Sequence, residues 1–254
     1  MEVSFISQSK KITVGFILLL TVIMGAFLTG DSQRTVHLGF SEKPGYYDEV
    51  IELKISGSDG NRVYYTLDGS DPGTDGILYE PDKPIILTDA SANPNVYSAR
   101  TDTSTAFLSD LVETYSSGAE EPGYTVPDYP VDKCNVVRAA AFDKKGICLD
   151  TITGVYFVGF QDKIGYDKIY TASIVTDPDN LFDYDRGIYV TGSTFEEAKD
   201  TIFGSDGEGD DSALEHRSWY WWTSNYSNRG IEWEREAVVT IFDEGKEQVL
   251  SENC

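Results

Sequence analysis

The sequence predicts a mainly β chain built around an antiparallel sandwich, and three features predict it. Short strand-like runs alternate with clusters of turn residues. The chain is rich in tyrosine, with 16, and 13% of it is aromatic. In its first third, Tyr64-Tyr65-Thr66-Leu67-Asp68-Gly69-Ser70-Asp71-Pro72 ends a strand with two aromatic residues and a threonine. Asp-Gly there allows a left-handed turn, and Asp-Pro fixes the exit.

The chain opens with a short head ending in Lys10-Lys11, and residues 12–29 then carry no charge. This is the pattern of a hydrophobic helix that serves as a secretion signal or as a single membrane anchor. Two observations favour an anchor. The run approaches the roughly 20 residues that span a bilayer. Leu28-Thr29-Gly30 also has Leu where a cleavage site needs a small residue. The two lysines would then stay cytoplasmic, with residues 12–30 in the membrane. On either reading the bulk of the chain is exported.

The 254 residues suffice for one large domain or two small ones, and 40% hydrophobic residues can fill a core. A formal charge of −23 repels phosphate backbones, which excludes nucleic acid as a partner. Three cysteines are too few for a disulfide framework. A turn at Asp143-Lys144-Lys145-Gly146 sets Cys148 opposite Ala141 rather than Cys134, so buried free thiols are expected.

After a polar linker, the segment from Phe40 to Tyr47 reads as an edge strand broken by Pro44-Gly45. Val50-Ile51-Glu52-Leu53-Lys54-Ile55 is a second strand, with charge at alternate positions. Residues 62–66 form the third, and Ile85-Ile86-Leu87 continues the sheet. Residues 88–132 are rich in Ser, Asp, Gly and Pro and read as a long insertion, with a short helix at 106–115. Strands at 135–143 and 147–160 close this domain, which spans 35–163 after an N-terminal segment 1–34.

From residue 164 the vocabulary changes. Short strands are expected at 169–175, at 187–192 with glycine at both ends, and at 231–242. A helical turn is expected at 195–203. Asp243-Glu244-Gly245-Lys246 turns the last strand into a brief return, which suggests that the domain 164–254 is cut short.

Two resemblances follow from these strings. The Tyr-Tyr-Thr-Leu-Asp-Gly-Ser-Asp-Pro motif and its flanking strands are similar to the Ig-like β-sandwich found as the C-terminal domain of chitobiases and β-hexosaminidases. The runs Leu181-Phe182-Asp183-Tyr184-Asp185-Arg186-Gly187-Ile188-Tyr189-Val190-Thr191-Gly192 and Asn225-Tyr226-Ser227-Asn228-Arg229-Gly230-Ile231-Glu232-Trp233-Glu234-Arg235-Glu236 together resemble the opening of the CotH-type spore-coat protein kinase domain. That family carries sandwich modules ahead of its kinase domain. The resemblance implies an Ig-like antiparallel sandwich followed by the incomplete α+β start of a kinase-like domain. For the parent protein it implies phosphorylation with ATP and a divalent metal. The Gly-rich turn, the Lys strand and the metal-binding carboxylates of the family have no counterpart in these 254 residues, so the chain itself is expected to bind no cofactor and to be non-catalytic.

The alternative is a cell-surface module that binds carbohydrate. Its candidate stacking residues are Trp219, Tyr220, Trp221 and Trp222, although Trp and Tyr also fill cores and interfaces. Cell-surface or spore-coat proteins, or polysaccharide, are the partners that these readings imply. The acidic run at 204–211 lacks EF-hand spacing and reads as an exposed insertion. Glu232, Glu234 and Glu236 would share one face of a strand. His37 and His216 keep metal spacing with no third ligand, and no Gly-x-Ser-x-Gly elbow occurs.

Overall fold

A computed structural model describes residues 36–73, 76–97, 127–161, 163, 165–203 and 224–254. The apolar segment 12–30, the expected helix at 106–115, the acidic run 204–211, His216 and the four candidate stacking residues Trp219, Tyr220, Trp221 and Trp222 lie outside the described residues. No helix among the described residues is long and apolar enough to cross a membrane.

Among the described residues the sandwich has nine strands: β1 (Gly39–Phe40), β2 (Gly45–Tyr47), β3 (Ile51–Leu53), β4 (Ile55–Ser56), β5 (Arg62–Thr66), β6 (Ile77–Leu78), β7 (Ile85–Leu87), β8 (Asn135–Phe142) and β9 (Cys148–Val158). One layer is the five-stranded sheet β2-β9-β8-β5-β6, and the other consists of the pairs β1-β4 and β3-β7. Alternation decides which side chains meet. Ile51, Leu53, Ile55, Ile85 and Leu87 point inward from the second layer, and Val63, Val137, Ala139, Ala141, Tyr156 and Val158 face them. Small Ala residues on β8 let the layers close over the Tyr156 ring, which is fully buried.

The strand broken by Pro44-Gly45 is an edge, as the sequence suggests. Its second half, β2, lies parallel to β9 while every other pairing in the sheet is antiparallel. The hairpin β8-β9 departs by one residue from the sequence reading. A bulge between Ala141 and Phe142 sets Cys148 opposite Phe142 and Asp150 opposite Ala141. All three cysteines are free; Cys148 and Cys254 are exposed and Cys134 is half-buried, so the expectation of buried thiols, made for Cys134 and Cys148, fails for Cys148.

A second sheet follows: β10 (Thr171–Val175), β11 (Val238–Phe242) and β12 (Gln248–Asn253), antiparallel in the order β10-β11-β12. Its inner face lies against the sandwich. β9 is therefore buried on both sides, with Tyr156 and Val158 in the sandwich core and Val155 and Phe157 against Val175 and Phe242. This is why residues 154–158 form an unbroken buried run. Residues 36–254 form one compact unit.

The α-helices among the described residues are α1 (Pro178–Phe182) and α2 (Gly192–Phe203). Three expectations are corrected here. The strand foreseen at 187–192 is a set of turns, because Asp183 accepts from the N–H groups of Asp185 and Arg186 and folds the chain back. Gly192 then starts a twelve-residue helix rather than ending a strand. Residues Ile231–Trp233 form a 3-10 turn, so Glu232, Glu234 and Glu236 do not line one strand face, and β11 begins only at Val238. The return strand β12 has six residues, longer than the few expected.

Candidate binding cleft

The Tyr-Tyr-Thr-Leu-Asp-Gly-Ser-Asp-Pro segment leaves β5 and folds back on itself. The Asp68 carboxylate accepts from the Ser70 N–H at 3.0 Å and from the Ser70 hydroxyl, and the Thr66 hydroxyl donates to the Ser70 carbonyl at 2.6 Å. Gly69 sits at φ +86°, in the left-handed region that its missing Cβ permits. The turn that the sequence assigns to Asp68 is thus present.

Asp71 does more than turn the chain. Arg138, on β8, reaches under the loop, donates to the Gly69 carbonyl at 2.9 Å and forms an ion pair with Asp71. The Asp71 N–H donates to Asp177 at 2.8 Å. The other oxygen of Asp177 accepts from the Asp179 N–H and caps α1, with Pro178 at the first helical position. The sandwich loop and the start of α1 are therefore tied together by one carboxylate.

Between them lies an open cleft of about 820 Å³. Asp68, Asp71, Asp177 and Asp179 contribute acid, and no Lys, Arg or His lines it among the described residues. Tyr65, Ile77, Val96 and Tyr97 supply the apolar wall. Tyr97 donates its hydroxyl to the Asp68 carbonyl and lies parallel to Phe182, with ring centroids 6.2 Å apart, while Tyr189 meets Phe182 edge-on. The sequence assigned Asp68 and Asp71 to the turn alone and did not single out Tyr97, Arg138, Asp177 or Asp179 for a site. The Asp177-Pro178 helix start was the one available signal for the latter pair.

The two runs that resemble the kinase-domain opening meet in space. Asn225 is fully buried. Its N–H donates to the Thr191 carbonyl at 2.9 Å, its Nδ2 donates to the Tyr184 carbonyl at 2.9 Å, and its Oδ1 accepts from the Thr194 N–H at 3.2 Å. Arg235 donates through Nε and Nη2 to the Arg186 carbonyl. Gly192, at φ +59°, lies against Asn225 so closely that a Cβ would overlap the Asn225 amide and the Tyr184 carbonyl.

Among the described residues no group of three His, Cys, Asp or Glu side chains is placed to hold a metal ion. The four described carboxylates of the cleft accept from backbone N–H groups, the Ser70 hydroxyl and arginines.

Residues 51–156 match the family model described as Fn3 associated, less than half of the chain. No curated protein and no solved structure matches the chain. The matched segment runs from β3 to β9 and is the body of the sandwich.

Proposed function

We propose that this chain is the amino-terminal scaffold of an exported, membrane-anchored protein kinase of the CotH type, and that it is itself non-catalytic. One observation carries the reading. The segments 181–192 and 225–236, separated in sequence, are joined through Asn225 and Arg235 into a single packed element, as the opening of one domain requires. The order of the parts supports it too, since the Fn3-associated family is a β-sandwich family often found with CotH- and chitobiase-like proteins.

The role of the scaffold follows from packing. β10 and β11 close against β9 through Val155, Phe157, Val175 and Phe242. The sandwich therefore acts as a platform that fixes the first strands of the following domain, rather than as a bead on a flexible linker. ATP and a divalent metal would be held by residues other than those described, and no step of phosphoryl transfer is assigned to this chain.

Reading the coding sequence downstream of Cys254 tests the proposal. A Gly-rich turn followed closely by a strand bearing Lys is the expected result, and the protein carrying it should transfer phosphate from ATP to a protein substrate. A continuation without that turn and Lys would remove the kinase reading.

A further inference from the structure

The five-stranded sheet ends at β6, whose outer edge pairs with no strand among the described residues. Ile77 and Leu78 are each 51% exposed, so both faces of this edge are open to solvent in part. An uncovered edge offers a row of N–H and C=O groups to an incoming strand. Here the edge opens onto the cleft, and Ile77 is part of the cleft wall.

The chemistry of the cleft says what kind of strand fits. Among the described residues, four carboxylates line it and no basic residue does. Two of them have arginine partners, Asp71 with Arg138 and Asp179 with Arg186. Asp68 and Asp177 accept only from uncharged donors. The apolar wall formed by Ile77, Val96 and Tyr97 suits the aliphatic stems of Lys or Arg, whose charged ends would reach the carboxylates. The second face of the edge, at Leu78, is apolar and exposed.

We propose that β6 and the adjoining cleft bind an extended basic segment of a partner protein by strand addition. Its alternate side chains are cationic toward the cleft and apolar toward Leu78. The inference does not depend on the kinase reading, because it uses only the sandwich and the start of α1. The overall charge of −23 brings such a segment to the surface, and the edge and cleft select its register.

Because an acidic chain attracts any cation, the test must separate the cleft from the general charge. Fluorescence anisotropy with the full chain and a labelled peptide alternating Arg and Val provides the readout. The double variant D68N/D179N should weaken binding by about tenfold. The variant D59N/D82N removes the same charge from turns at the far end of β5 and should leave affinity unchanged. A peptide N-methylated at alternate residues, which cannot form the ladder, should not bind. Equal weakening by both variants, or undiminished binding of the N-methylated peptide, would overturn the proposal. Tighter binding of a chitosan oligomer than of the peptide would do so as well, by assigning the cleft to a cationic sugar.

Discussion

Tyr46 lies flat on Phe157, with ring centroids 4.5 Å apart and planes 11° from parallel, and Phe242 stands edge-on to both at 5.7 Å and 5.6 Å. The first two rings belong to adjacent strands of the sandwich sheet and the third to the sheet that follows. The Tyr46 hydroxyl also donates to Thr171 at 2.8 Å, on β10. Removing this ring opens a cavity where the sheets meet. Y46A is expected to lower unfolding stability in urea by about 3 kcal/mol, whereas Y46F should lose only about 1 kcal/mol. Equal losses would show that the ring contributes nothing beyond its hydroxyl.

Gly192 and Asn225 form a second junction. A side chain at position 192 meets both an unfavourable φ and the Asn225 amide. G192A is expected to destabilise the chain by about 2 kcal/mol or more. N225A should have an effect of about 2 kcal/mol, because it leaves the Tyr184 carbonyl and the Thr194 N–H without their side-chain partner. Urea midpoints of the two variants check this, and a wild-type midpoint for N225A would show that the junction is idle.

Alkaline pH should weaken the fold through tyrosine. Burial pushes the hydroxyls of Tyr47, Tyr65 and Tyr166 up from their ordinary value, and that of Tyr156 furthest. The folded chain keeps protons that the unfolded chain releases above about pH 10. Stability from these groups is complete below that pH and falls as pH rises toward the folded values. Thermal midpoints should drop above about pH 10, and less steeply in Y156F, which retains the buried ring and loses only the hydroxyl bond to the Glu42 carbonyl. The same slope in Y156F and wild type would rule out Tyr156 as a principal source.

The thiols should separate by reactivity. Cys148 and Cys254 are exposed, whereas Cys134 packs beside the Phe157 cluster and burial raises its thiol. An aromatic disulfide reagent should modify the first two in the folded chain and Cys134 only on unfolding. Immediate reaction of all three would contradict that packing.

Much of the sandwich was legible in the sequence because its strands carry their burial in alternation. Ile51, Leu53 and Ile55 mark one face, and Arg62–Thr66 begins and ends where its turn residues place it. The second half was harder to read. Gly187-Ile188-Tyr189-Val190-Thr191-Gly192 has strand composition, yet the Asp183 carboxylate caps local N–H groups and wins the chain for a turn. Glu232 to Glu236 alternates in charge, but a 3-10 turn removes the two-residue period on which the pattern depends. The cleft was half visible. Asp68 and Asp71 lie in the motif, but Arg138 comes from β8 and Asp177 from the cap of α1, and only the tertiary fold brings them together.

Native-state hydrogen exchange of F242A tests most directly whether the sandwich and the following sheet form one scaffold. If they do, the amides of β11 and of β9 at residues 155–158 should lose protection together and by the same amount. Loss confined to β10–β12, with β9 as protected as in the wild type, would contradict a shared core.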